Sequence, residues 1–405
     1  NFLVWGSFAL GELIATGTNS LVAQSYGAQE RETGKRIATE NLVNAFFTTV
    51  LISALFIPIL NLLYDIINLD SAQRGFTDDY IVTFLIGMPC VTLLSTTAAV
   101  FRGTGDTKTP FYLICLAVSL NFFLAPLLIF GIGGYLQFEV KGAALSTIIS
   151  YFAAFIAGYI ILRKRNLIGK ISGYTFDKKI LLHTVKIGLP VSLHGMFFSF
   201  IYVIVSRFVA DYGTTGLAAL GIGHRSESIS YQICVGLSLA ATVLVGQNIG
   251  AGNKNRAEKL SWRIYIIGTL AMSVYGLLLF IFARNIAQFF TTDLAVIDAA
   301  EAYNKINAVI MIFSAADVIL SGAFSGAGDT IPPVTIGLIF NTLRIPLCAV
   351  LSPVWGLNGI WIAICASVVL KSIVLTYWFY RGKWKERNFE LSEKKENIIE
   401  LVETE

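Results

Sequence analysis

The stretch FRGTGDTKTP (101–110) places charged residues between two long apolar runs, and it returns as FSGAGDTIPP (324–333) with six of ten positions identical. The offset, 324 less 101, is 223. In the same register LVAQSYGA (21–28) meets LVGQNIGA (244–251) with five of eight identical. Two matches with no net insertion between them indicate an internal duplication. Its period is far too long for a solenoid, whose repeats run to about 20–50 residues.

Composition says what is duplicated. The 405 residues are 55% hydrophobic and 14% charged, with a mean hydropathy of +0.69. A soluble domain carries about a quarter of its residues as charges. The apolar residues gather into eleven runs, near 2–26, 37–64, 80–101, 110–134, 140–162, 181–210, 216–248, 261–285, 299–325, 331–353 and 356–380. A helix crosses a bilayer with about 20 apolar residues. The expected fold is therefore all-α and transmembrane. No basic leader or cleavage motif precedes the first run, so no signal peptide is expected. In the second half, GLPVSLHGMFFSFIYVIVSRFVADYG (188–213) precedes the helix that matches 2–26, and its first-half counterpart would lie upstream of Asn1. The chain is expected to lack the first helix of a twelve-helix protein.

Charge sets the expected orientation. Of 30 Lys and Arg, 22 fall in one alternate set of inter-run segments, around 27–36, 102–108, 163–186, 254–263, 325–330 and the tail from Arg381. The other set holds 4, and the last four (Arg207, Arg225, Arg344 and Lys371) lie inside apolar runs. Basic loops stay in the cytoplasm, so both GDT hairpins and the C-terminus are expected there. The net charge of +4 then reflects topology, and no nucleic-acid partner is expected. Two halves of one orientation imply six-helix bundles related by an axis along the membrane normal. The expected divisions are an N-terminal bundle at 1–165 with five of its six helices, a cytoplasmic linker at 166–180, a C-terminal bundle at 181–381, and a solvated charged tail at 382–405.

The opening stretch has a local reading. Gly103 and Gly105 allow the left-handed turn that ends a helix, Asp106 stands where an N-cap belongs, and Pro110 is tolerated in the next first turn. Gly326, Gly328 and Asp329 are expected to repeat the arrangement. A structural role is favoured over a cytoplasmic gate.

These motifs carry a resemblance. LVAQSYGAQE, LVGQNIGAGN, FRGTGDTKTPF and FSGAGDTIPPV, spaced as they are, resemble the multidrug and toxic compound extrusion (MATE) family over essentially the whole chain. IGHRSES (222–228) is similar to the start of the eighth helix in the family's DinF-like branch. The resemblance implies two six-helix bundles facing each other in a V. It also implies export of amphipathic, often cationic, compounds in exchange for protons or sodium ions. Asn121 and Pro126 in NFFLAP match the family's fifth helix, but Ala125 stands where many members have Asp. Thr147 matches a family Thr on the sixth helix. The family's sodium-binding members carry an acid near Asp317, nearly one turn earlier, at the position of Ser314.

Ionisable residues inside apolar runs are functional candidates by default, because a charge in hydrocarbon costs several kcal/mol. Glu12 lies about 14 residues from the cytoplasmic end of its helix, roughly 20 Å deep. Arg225 and Glu227 are two apart and do not share a face, whereas His224 and Glu227 can touch. Asp317 has Arg344 and Lys371 as possible charge partners, Lys371 also being able to snorkel. Glu40 and Arg207, nearer helix ends, are expected to snorkel. His194 is expected to be a satisfied buried histidine. The five Cys (90, 115, 234, 348 and 365) fit neither a zinc site nor a disulfide framework. No metal site is expected beyond a possible sodium ion. Without a phosphate-binding loop, direct use of ATP is not expected, and no cofactor beyond the coupling ion, H⁺ or Na⁺, is implied.

The leading expectation is a secondary exporter of small amphipathic compounds, acting as a monomer among membrane lipids in the plasma or inner membrane. A flippase of lipid-linked saccharide from the same superfamily is the nearer rival. The intramembrane charges number about four of each sign, which does not favour an anionic lipid. An integral-membrane enzyme is the remoter rival, since no cluster of His, Asp or Glu appears at a membrane face.

Overall fold

The computed structural model describes residues 2–66, 71–131, 137–170, 176–389 and 391. No strand occurs among them. The helices are α1 (Phe2–Gly27), α2 (Arg31–Phe56), α3 (Leu60–Ile66), α4 (Ser71–Gly103), α5 (Lys108–Phe130), α6 (Glu139–Lys164), α7 (Lys178–Ala210), α8 (Gly213–Gly250), α9 (Lys254–Ile281), α10 (Ala283–Phe290), α11 (Leu294–Ala327), α12 (Ile331–Trp355) and α13 (Leu357–Tyr380). Ten spans among the described residues are long and apolar enough to cross a bilayer. Large apolar side chains project outward from them, such as Phe122 and Phe123, each 73% exposed. An oil-like solvent accepts such a surface, and intrahelical hydrogen bonding is what lets the backbone lie in it. The short α10 occupies a segment expected to be a loop.

The chain divides into two compact units, Leu3–Ser192 with the residues from Phe389, and Leu193–Asn388. The boundary falls inside α7, not in the expected linker at 166–180. The first half of α7 is committed to unit 1 by close contacts. A Cβ on Gly17 would meet Thr184, one on Gly188 would meet the Leu13 carbonyl, and Thr184 exchanges hydrogen bonds with Asn41 at 3.0 and 3.1 Å.

Within unit 1, α4 packs on α2 and α6, and α5 packs on α6. Within unit 2, α11 packs on α9 and α13, and α12 packs on α13, so the repeat restates the pattern helix for helix. In each unit the fourth of these helices also packs along the first: α4 meets α1 where Gly103 abuts Val22, and α11 meets α8 where Gly322 and Gly326 face the carbonyls of Ser238 and Thr242 with no room for a Cβ. Small residues at such spacing let membrane helices approach closely where the hydrophobic effect cannot drive them together.

The hairpins bear out the turn chemistry at some positions and correct it at others. Gly105 (φ 94°) and Gly328 (φ 76°) supply the left-handed residue. Gly103 and Gly326 do not; they are close-approach glycines, and a Cβ on Gly103 would lie 2.8 Å from Val22. Asp106 caps α5 by accepting from the backbone N–H of Lys108 (2.9 Å) and Thr109 (3.0 Å). Asp329 does not repeat the cap; of the two matching donors, Pro332 in place of Thr109 has no N–H to give. Asp329 accepts instead from Arg387 at 2.9 Å.

Two further expectations are corrected. Glu40 does not snorkel: it is buried, accepting from Arg36 Nε (3.2 Å) and the Asp177 N–H (3.1 Å). The tail is not uniformly solvated. Trp384 is buried in unit 2, stacked on Phe379, and Phe389 is buried in the core of unit 1 with Leu162 and Ile168. Aromatic side chains among charges still bury when a pocket is offered. Residues 392–405 of the tail lie outside the described residues.

Candidate functional site

In unit 1 the candidates form two separate small sets. Glu12 on α1 is exposed and accepts from Ser95 Oγ on α4 at 2.6 Å. Asn121 on α5 donates through Nδ2 to Ser146 Oγ and Thr147 Oγ1 on α6, each at 3.2 Å. Both hydroxyls in turn donate to the Ala143 carbonyl. Asn121 and Thr147 are therefore brought together as a neutral bridge between helices.

Unit 2 concentrates the charges. Asp317 on α11 and Lys371 on α13 form an ion pair at 2.5 Å, with their side chains 22% and 4% exposed. Lys371 thus pairs inside the bundle and does not snorkel. Arg344 on α12, 2% exposed, takes neither acid as a hydrogen-bond partner: its Nε donates to Ser367 Oγ on α13 at 2.7 Å. Its guanidinium lies over the rings of Phe198 (5.4 Å) and Tyr202 (5.2 Å) on α7. Glu227 on α8 accepts from Tyr303 OH on α11 at 2.7 Å, and Tyr303 meets Trp361 on α13 edge-on at 4.7 Å.

His224, one turn before Glu227, packs edge-on against Tyr202 at 4.8 Å. Tyr202 lies in the fields of both Arg344 and Glu227. Arg225 is exposed, on a different side of α8 from Glu227. His194 on α7 is within 3.2 Å of Asn341 Nδ2 on α12, in space left by Gly337. Five helices, α7, α8, α11, α12 and α13, contribute to this assembly.

The carboxylates can exchange a proton for another cation, while Arg344 keeps its charge at any working pH. Among the described residues, no group of three or more His, Cys, Asp or Glu could hold a metal ion. Sequence reasoning missed Tyr303, Ser367, Ser95 and Tyr202. Tyr202 and Tyr303 had only a weak signal, an aromatic in an apolar run, which many other positions share.

A family profile described as MatE matches residues 1–127 and 190–350. The chain belongs to the MATE family. It is 30% identical to a probable multidrug resistance protein NorM of Thermotoga maritima, over 92% of this chain and 81% of that one. It is 25% identical to an FAD transporter of Shewanella oneidensis, over 93% and 83%. Among solved structures, an outward-facing multidrug resistance MATE transporter of the MOP superfamily matches with a TM-score of 0.87 at 20% identity, covering 95% of this chain and 87% of that one. This MATE protein is accordingly a multi-pass membrane transporter and not an enzyme.

Proposed function

We propose that this MATE protein is a secondary exporter of small amphipathic drugs or toxic compounds with a cationic centre, driven by a proton gradient. The observation that carries the reading is the carboxylate Glu227 on α8, held by the Tyr303 hydroxyl on α11. Exchange needs a group that binds either ion or substrate and whose charge can change. A carboxylate meets that need and an arginine does not. Glu227 is the leading proton carrier. Glu12, exposed in unit 1, is the second. Asp317 is the reserve, because Lys371 already answers its charge. One proton moving down 100 mV supplies about 2.3 kcal/mol, enough for a useful concentration ratio of an exported compound. The 22-to-4 division of basic residues supports a cytoplasmic C-terminus.

Dye efflux from cells expressing the protein, with proton or sodium gradients collapsed in turn, tests the reading. Glu227→Gln is expected to abolish gradient-driven efflux while leaving substrate binding measurable, and Glu12→Gln to have the weaker effect. Full efflux in the double variant would remove both residues from the mechanism. Efflux that survives loss of the proton gradient and fails without sodium would replace the coupling ion.

A further inference from the structure

We propose that Arg344 receives a carboxylate of the transported compound, so that the preferred substrates are zwitterions whose cationic centre goes to Glu227. The inference rests on the exporter reading and names the substrate class of the same unit.

Three observations lead to it. The first is an unanswered donor. Arg344 is 2% exposed, and its Nη1 has no hydrogen-bond partner. Its Nε is used by Ser367, and its faces are covered by Phe198 and Tyr202. A guanidinium stays charged when buried, so the demand for an anion cannot be relieved by losing a proton. A buried charge that lacks a partner is strongly unfavourable.

The second is charge bookkeeping within the unit. Lys371, the other fully buried cation of unit 2 among the described residues, is matched by Asp317 at 2.5 Å. Glu227 takes the hydroxyl of Tyr303. When Glu227 takes a proton or a cationic centre, nothing in this set remains to balance Arg344.

The third is the duplication. In the register that pairs position 101 with 324, position 344 pairs with 121, and Asn121 is neutral, satisfied by Ser146 and Thr147. The bundle therefore folds without a cation at this register, and helix packing does not explain the arginine. Tyr202 spans the distance between the two proposed anchors. Its ring lies 5.2 Å from the Arg344 guanidinium carbon and 4.8 Å from the His224 ring, one turn from Glu227. A flat amphipathic compound bearing an amine and a carboxylate fits such a pair of anchors. Its carboxylate reaches Nη1 when the α7 rings give way.

The test uses two probes that differ only at the carboxyl: rhodamine B, whose acid is free, and its ethyl ester. Binding to the purified protein in lipid nanodiscs is read by fluorescence anisotropy. Wild-type protein is expected to bind the acid about tenfold or more tightly than the ester, as one charge-assisted hydrogen bond implies. Arg344→Gln is expected to bring the ratio to about one. Arg344→Lys keeps the buried charge without the planar fork and gives an intermediate ratio; it also guards against misfolding of Arg344→Gln. Equal or weaker binding of the acid by the wild type overturns the proposal without any variant, as does a ratio unmoved by Arg344→Gln. Efflux separates this outcome from the exporter reading. An intact acid preference in binding with no gradient-driven efflux of either dye fails the exporter reading alone, whereas export of both dyes without acid preference fails this inference alone.

Discussion

The two units share a packing plan and differ in what they bury. In the repeat register, Asp317 and Arg344 fall on Leu94 and Asn121. Gly142 and Gly359 each press against a carbonyl, Leu128 and Leu351, and those two leucines are themselves partners in that register. Counting on equally from the two glycines reaches Ala154 and Lys371. So Leu94, Asn121 and Ala154 in unit 1 take the places of Asp317, Arg344 and Lys371 in unit 2. Leu94 and Ala154 are buried, at 2% and 0% exposed, against 22% and 4% for the side chains of Asp317 and Lys371. One helix scaffold accommodates a neutral set and a charged set. The charged set is the more costly to bury, and its presence in one unit only points to use and not to architecture.

The hairpins diverge in a smaller way. Asp106 caps a helix, and it also accepts from Thr109 Oγ1 and Arg165, both at 2.5 Å. Burial pushes the pKa of Asp106 up, but the hydrogen bonds from Thr109, Arg165 and the Lys108 N–H outweigh it and hold it down at about 2. Asp329 keeps only the arginine, Arg387. In both units that arginine follows the last helix, as Arg165 does α6 and Arg387 does α13.

The largest expected effect tests the buried pair. Lys371→Met should destabilise by about 3–5 kcal/mol, because Asp317 is left as an unanswered charge. Installing the unit 1 residues, Asp317→Leu with Lys371→Ala, should recover most of that loss. Thermal unfolding in detergent checks both. A double variant as unstable as the single would show that unit 2 requires the pair for packing.

The hairpins come next. Asp106→Ala should cost about 1–2 kcal/mol through the lost cap. Asp329→Ala should cost about 0–1 kcal/mol, since a lone pair with a half-exposed arginine contributes little. Equal losses would mean that the cap is not what distinguishes them. A depressed carboxyl pKa adds stability that is present above the unfolded value and lost as pH falls through the folded one. The gap between wild type and Asp106→Ala should therefore be full at neutral pH and close as pH falls from about 4 toward 2.

The smallest effect concerns a turn. Gln29 has φ 64°, and its counterpart in the repeat is Gly252, at φ 74°. The left-handed region strains a residue with a Cβ by roughly 1–2 kcal/mol, partly offset by the greater backbone entropy glycine loses. Gln29→Gly should stabilise by about 0.5–1 kcal/mol. A loss of stability would show that the Gln29 side chain makes a contribution the turn geometry does not reveal.

Much of the architecture was legible before any coordinates. The duplication, the apolar spans, Gly105 and Gly328 as turn residues, and the Asp106 cap follow from hydropathy and from backbone rules acting within a few residues. The charged residues of the spans could be named as candidates because burying a charge is costly wherever it occurs. Their partners could not be named. Whether Lys371 reaches Asp317 or the membrane surface, whether Arg344 meets an acid or Ser367, and that Tyr303 lies against Glu227 depend on how each helix is rotated and how closely its neighbour approaches. Those quantities are set by small-residue contacts such as those of Gly322 and Gly326 of α11 against α8, between positions far apart in the chain. Local periodicity carries no record of them, so the tertiary structure alone decides which buried charges are answered and which, like Arg344, are left with a donor to spare.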